Sequence, residues 1–263
     1  MEQGVPPIDP LRSVLLVVDV QSEYWSKCNP VREDFPEFPR NCDTAIRICR
    51  SKGVEIIFVR ADYVAEQSPW LGQFRRLNYG VNCKVEPKFV AGVNDTEWEL
   101  FAVPNDGEFV VVKPSWDASD PSTGLSDYLK ARSITNVLLL GLITSVCVQH
   151  SAFGLFNRGF RVLVIADACA DRGRARHDAA LSLYGNYMYD ILTCSVLQQN
   201  IFYREGEVQS HHVENTNPCR SSSSSSSSSN STNETHIDTT AGNPPSYNTY
   251  SSYTRMYRYN KSC

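Results

Sequence analysis

Between about Leu11 and Phe202 the chain alternates short, continuously apolar runs with segments of helical character, and few folds accept that alternation. The runs are VLLVVDV (14–20), VEIIFVR (54–60), FVVVK (109–113), NVLLLG (136–141) and RVLVIAD (161–167), with DILTCSVL (190–197) as a sixth candidate. Helical segments are expected at about 41–52, 124–132, 145–158 and 174–188. The runs are apolar at every position rather than at alternate ones, so both faces of their sheet must be covered by other elements. That requirement predicts an α/β fold: an open, doubly wound sheet of about six mainly parallel strands with helices on both faces. Gly53 and Gly159 fall between a helix and the next strand, where a left-handed residue commonly ends the helix.

This pattern gives one domain over residues 1–205, long enough to bury a substantial core. Its longest connection, 61–108, is rich in Trp, Phe, Tyr, Pro and Gly, and connections of that length usually carry function or small elements of their own. Residues 206–263 differ in kind, with nine consecutive serines at 221–229 followed by Asn, Thr, Pro and Tyr. Such a segment buries too little to offset its ordering entropy and is expected to be a disordered tail. Its tyrosines Tyr247, Tyr250, Tyr253, Tyr257 and Tyr259 lie near Arg255, Arg258 and Lys261, which leaves open a weak interaction or phosphorylation segment.

The net charge of −4, without a basic stripe, argues against nucleic acid as a partner. The first residues lack a basic region followed by a long apolar stretch, and no run reaches membrane-spanning length, so neither a signal peptide nor membrane association is expected. The nine cysteines are odd in number and irregular in spacing, with no C-x-x-C pair, which reads as reduced thiols and a cytoplasmic location. The sequons at Asn94, Asn230, Asn233 and Asn260 would then be chance matches. Export without a signal peptide remains open.

In an open parallel sheet the binding crevice lies beyond the carboxyl ends of the strands. Asp19, Lys113 and Cys147 each follow an apolar run at that end, and they suit a base, a cation and a nucleophile. GLITSVCV turns from strand to helix, which places the Cys147 sulfur near unpaired N–H groups and the positive end of a helix dipole, both favouring thiolate. The plainer alternatives are an inert buried thiol and a structural Asp19–Lys113 ion pair. Asp167 follows the same positional rule but is read as a cap for the turn through DACADR.

Three stretches, VLLVVDVQSEY (14–24), GEFVVVKPSWDAS (107–119) and GLITSVCVQHSAFGLFNRGFRVLVIADACADR (141–172), with RHDAAL (176–181), carry a resemblance over about residues 11–197. The chain resembles the isochorismatase-like cysteine hydrolases, a family that includes nicotinamidases, N-carbamoylsarcosine amidohydrolases, ureidoacrylate amidohydrolases and isochorismatases. The resemblance implies a triad of Asp19, Lys113 and Cys147, a cis peptide between Leu142 and Ile143, and an oxyanion hole from the backbone N–H groups of Ile143 and Cys147. It further implies hydrolysis of a C–N bond in a small amide, ureido or carbamoyl compound through a thioester, with no cofactor, in a dimer or tetramer.

The chain departs from the nicotinamidase pattern at the metal motif, where Asp62 matches but Val64 replaces the first histidine and no histidine follows before His150. No metal site is therefore expected. His177 reads as a capping or packing residue and His150 as pointing partly away from Cys147. Tyr24, Trp25 and Trp116, together with Trp70 and Phe74, are candidates to wall a pocket for a small planar substrate, against the alternative of core packing. Two other functions stay in view: enol-ether cleavage of isochorismate, which needs an acid at Asp19 but no thiolate, and a non-catalytic descendant that binds a small molecule or a partner.

Overall fold

A computed structural model describes residues 5–63, 68–79, 98–199, 201–203 and 256–259. Its strands are β1 (Ser13–Val18), β2 (Glu55–Ala61), β3 (Phe109–Lys113), β4 (Asn136–Leu142), β5 (Arg161–Ala170), β6 (Asp190–Leu192) and β7 (Met256–Arg258). The helices are α1 (Asn29–Asp34), α2 (Phe38–Ser51), α3 (Leu71–Tyr79), α4 (Leu125–Ala131), α5 (Gln149–Asn157), α6 (Arg174–Tyr184) and α7 (Cys194–Gln198). The strand order is β6-β5-β4-β1-β2-β3-β7, with β1 to β6 mutually parallel and β7 antiparallel to β3. The chain winds outward from β1 in one direction through β2 and β3 and in the other through β4, β5 and β6. The strand order therefore reverses beside β1, where a crevice opens in such sheets.

Both faces of the sheet are covered, which is why its central strands are apolar throughout. Leu15 and Val17 of β1 point to one face, against Phe38, Ala45 and Ile46 of α2, while Val14, Leu16 and Val18 point to the other, with Leu125, Leu129, Ala152 and Leu155. These five side chains are fully buried. Full burial of such an aliphatic side chain is worth about 1.5–3 kcal/mol. Gly141 lies in β4, where the pairing with β5 shifts register, and its φ of 126° brings its backbone against Val18. A Cβ there would collide with the Val18 carbonyl oxygen, so only glycine fits.

Several boundaries differ from the sequence reading. DILTCSVL is not one strand: β6 ends at Leu192, and the Thr193 hydroxyl accepts from the Val196 N–H to start α7. β5 runs past Asp167 to Ala170, because Cys169 and Ala170 resume pairing with Gly141 and Leu142 beyond the register shift. The Asp167 carboxylate accordingly does not cap DACADR; its Oδ1 accepts from the Cys194 N–H at 2.8 Å and caps α7. Within the long connection, α3 is an element of its own, and residues 64–67 and 80–97, including Val64 and Asn94, lie outside the described residues. The sequons at Asn230, Asn233 and Asn260 and the serine run also lie outside them.

The expectation of a disordered tail does not hold at Met256–Arg258, which joins the sheet as β7. The Tyr259 N–H donates to the Glu108 carbonyl at 2.7 Å, and the Gly107 N–H donates to the Tyr259 carbonyl at 2.8 Å. The Arg258 guanidinium lies 4.2 Å from the Phe109 ring centroid and donates to the Gly107 carbonyl at 2.6 Å. A composition-based reading misses this because three residues suffice to satisfy the exposed edge of β3. Arg258→Ala is expected to loosen the edge. Amide exchange at Val110, whose N–H faces β7, should then accelerate by about 3- to 10-fold while the β1–β2 amides do not change, the loss of a contact worth about 0.5–1 kcal/mol or slightly more. Unchanged exchange at β3 would mean that the arginine does not hold the strand.

Among the described residues no helix is long and apolar enough to cross a membrane.

Candidate active site

Four neighbouring strands each deliver one polar side chain to the crevice. Asp19 leaves β1 with φ 50°, a left-handed conformation unusual for a residue other than glycine, while its N–H still donates to the Val59 carbonyl at 2.8 Å. Lys113 ends β3, beside Ala61 of β2, and its stem reaches back across the end of β2. Cys147 follows β4 in a π-helical turn, Thr144–Val148, that leads into α5. Such turns recur at functional sites because they reposition one side chain without ending the helix. The peptide between Leu142 and Ile143 is cis.

The three candidates meet. Lys113 Nζ lies 2.8 Å from Asp19 Oδ2 and 3.4 Å from Cys147 Sγ, and it donates to the Ser115 carbonyl at 3.0 Å. Asp19 and Lys113 are fully buried, and Cys147 is 4% exposed. The fourth residue, from the exit of β2, is Tyr63, which the sequence reading did not select. Its hydroxyl accepts from Lys113 Nζ at 3.2 Å and lies 3.6 Å from Cys147 Sγ. Asp62 had drawn attention through the metal motif, yet the rule that selected Asp19 and Lys113 also picks out a tyrosine two residues beyond the end of β2.

Burial dominates the electrostatics. It pushes the Asp19 carboxyl above its ordinary value, and the Lys113 charge offsets this only in part. Burial works against the Lys113 ammonium, but Asp19 and Cys147 hold it above its ordinary value. The Cys147 thiol is pushed up to about 12, by burial first and by the Asp19 charge second, with Lys113 opposing. The expectation of a thiolate favoured by the helix end is therefore corrected. The Asp171 carboxylate accepts from the Ser145 N–H at 2.7 Å, so an acidic side chain already faces the first turn of that helical segment.

Tyr24 stands beside this cluster, close enough to feel Tyr63 and the charge of Asp19. Trp116 packs 5.2 Å from Trp70, 6.3 Å from Phe74 and 5.1 Å from His150, and Trp70 lies 4.9 Å from Tyr63. Tyr63, Trp70, Phe74 and Trp116 thus form a connected aromatic group beside the cluster. Trp25 takes no part in it; its ring lies 5.0 Å from Phe38 and 6.0 Å from Phe101 in the core on the α2 side of the sheet. The His150 ring is tied by Nδ1 to the Val146 carbonyl at 2.7 Å. His177 packs 5.0 Å from Phe35, with Nδ1 2.9 Å from the Thr144 hydroxyl.

Among the described residues no group of three or more His, Cys, Asp or Glu is placed to hold a metal ion. Asp62 lacks the imidazole partners that such a site would need, so the donor set does not fit one.

The isochorismatase domain family model matches residues 13–194, and the chain belongs to that family of hydrolases. Nicotinamidase 3 of Arabidopsis thaliana is 25% identical over 193 residues, covering 72% of this chain and 88% of its own length. A ureidoacrylate amidohydrolase, RutB of Methylobacterium radiotolerans, is 27% identical over 192 residues, 66% of this chain and 74% of its own. Among solved structures, a cysteine hydrolase from Pseudomonas syringae aligns with a TM-score of 0.63 at 20% identity, covering 76% of this chain and 98% of that one. N-carbamoylsarcosine amidase from Thermoplasma acidophilum aligns with a TM-score of 0.57 at 21% identity, covering 70% and 96%. These structural likenesses establish the shared fold. The named activities of the relatives support C–N bond hydrolysis as the general chemistry.

Proposed function

We propose that the protein is a cysteine amidohydrolase that cleaves a C–N bond in a small amide, ureido or carbamoyl compound through a thioester on Cys147. The observation that carries this reading is the placement of Cys147 Sγ 3.4 Å from a lysine that is itself paired with Asp19 at 2.8 Å, all three sealed from solvent.

The high thiol pKa is compatible with a nucleophilic role. It describes loss of a proton to water, which would leave the buried site with a net negative charge. Transfer of the same proton to Asp19 keeps the site neutral overall, as thiolate, ammonium and carboxylic acid, and the raised Asp19 pKa makes it a better base for that step. The thiolate then attacks the carbonyl carbon. The oxyanion is received by the N–H groups of Ile143 and Cys147, each worth about 3–4 kcal/mol in the transition state. Asp19 returns its proton to the departing nitrogen as the C–N bond breaks, and water next attacks the thioester with Asp19 again as base. Lys113 remains charged throughout and holds both partners.

Ammonia release from a panel of small carboxamides, carbamoyl amino acids and ureido acids tests the reading. A substrate in the panel should be turned over by the native chain, and Cys147→Ala should lose at least about 10^3-fold in rate. Isochorismate turnover that survives Cys147→Ala and vanishes in Asp19→Ala would replace this mechanism with acid-catalysed enol-ether cleavage.

A further inference from the structure

We propose that Tyr63 is a fourth catalytic residue, whose hydroxyl donates a hydrogen bond to the Cys147 sulfur as the thiolate forms. This deepens the cysteine reading above and rests on it.

The argument begins with a count of protons. Lys113 has three N–H donors and four neighbours within reach: Asp19 Oδ2, the Ser115 carbonyl, the Tyr63 hydroxyl and Cys147 Sγ. Three donors cannot satisfy three oxygens and a sulfur at once. Lysine therefore cannot serve the sulfur at full strength without releasing one of them. The carbonyl and the Asp19 carboxylate are fixed by short contacts, at 3.0 and 2.8 Å, whereas the Tyr63 contact is the longest of the three at 3.2 Å.

Tyr63 resolves the shortage. As an acceptor from Lys113 its oxygen is polarised, and its single proton is left for a second neighbour. Cys147 Sγ lies 3.6 Å away, and the Tyr24 side chain stands beside the pair. A hydrogen bond to an ionised acceptor is roughly twice as strong as one to a neutral acceptor, so the proton turns to sulfur once the thiol proton has moved to Asp19. Tyr63 is 4% exposed, and burial raises its own pKa well above the ordinary value, so it keeps its proton while donating. The Lys113 ammonium, 5.4 Å from the Tyr63 ring centroid, and the edge-on Trp70 hold the ring in place.

The step balances without another reagent. The S–H bond breaks, its proton passes to Asp19, and the O–H of Tyr63 shortens its contact to the sulfur without breaking. When the S–C bond forms, the sulfur loses its charge and the Tyr63 contact weakens again. The tyrosine thus acts on the nucleophile, before substrate specificity enters.

Tyr63→Phe removes only the hydroxyl and keeps the ring packed on Trp70. Alkylation by iodoacetamide, itself a small carboxamide, reports the Cys147 nucleophile whatever the substrate is, with mass spectrometry of the Cys147 peptide separating it from other thiols. Tyr63→Phe is expected to slow labelling of Cys147 by about 10- to 100-fold between pH 7 and 9, the value of a hydrogen bond to a charged group. Its melting temperature should stay within a few degrees of the parent, so that a folding defect is visible as such. A loss of labelling in Tyr24→Phe as large as that in Tyr63→Phe would overturn the assignment to Tyr63, as would a Tyr63→Phe profile superimposable on the parent's. Cys147 that resists labelling in the parent chain would sink the cysteine mechanism itself, and the tyrosine role with it.

Discussion

Lys113→Met is expected to abolish turnover, by about 10^3-fold or more, and to change how stability depends on pH. Methionine fills much of the lysine volume but leaves Asp19 as an uncompensated carboxylate in a fully buried site. Removing one partner of a buried pair typically costs about 3–5 kcal/mol, much of which is the penalty on the charge that remains. Asp19 escapes that penalty by protonating. Its pKa is already raised by burial with the lysine present, and loss of the ammonium removes the main opposing influence. A neutral Asp19 cannot accept the thiol proton, so activity falls even where the fold survives. A carboxyl whose folded pKa stands above its unfolded value, near 4, binds its proton more tightly in the folded state. Its stabilising contribution is complete below the unfolded value and is lost as pH rises through the folded one. Thermal melts should therefore show the variant closest to the parent near pH 5 and falling behind it toward pH 8. The double variant Asp19→Asn with Lys113→Met should regain stability but not activity. A single variant that melts alike relative to the parent at both pH values would mean that Asp19 is solvated, contrary to its full burial.

The sheet and the ends of its central strands are legible in the chain because apolar continuity and burial have the same cause. Val14 to Val18 are apolar at every position since helices cover both faces, and Asp19, Lys113 and Cys147 stand out as polar groups at the ends of such runs. What escapes the sequence depends on contacts between distant segments. The periodicity of β5 cannot reveal that Asp167 caps α7, because the Cys194 N–H is brought there only by folding. Composition around Met256 is that of a disordered segment, and three residues against an open edge are below what a window can detect. Cys147 is instructive: its helix-start position suggested a thiolate, but burial and the Asp19 charge both favour the neutral thiol, and Asp171 already faces that helix start.

The same burial of thiols makes alkaline pH the weak side of this fold. Cys42, Cys49, Cys147 and Cys169 are all 4% exposed or less and Cys194 is 6% exposed, and none of them is in a disulfide. Burial raises every one of these thiols, Cys49, Cys147 and Cys194 to about 12 and Cys42 and Cys169 well above their ordinary value. In the unfolded chain they ionise near 8.5. Each then releases a proton on unfolding at any pH between those values, which tilts the equilibrium toward the unfolded state by about 1.4 kcal/mol per pH unit. The thiol contribution to stability is intact below about pH 8.5 and is lost as pH rises toward 12. Cys42, Cys49 and Cys169 are raised in part by other thiols of the group, so the five do not add independently, yet several together weigh against a total stability of about 5–15 kcal/mol for a typical domain. Unfolding by urea is therefore expected to shift to lower midpoints above pH 9. Cys49→Ala, which removes one thiol far from the proposed nucleophile, should reduce the slope by about one proton at some cost in packing at pH 7. Urea midpoints that stay level from pH 8 to 11 would require the thiols to ionise as freely in the folded chain as in water, and the packed core between α2, β5 and α7 would have to be far more open than the contacts of Cys42, Cys169 and Cys194 allow.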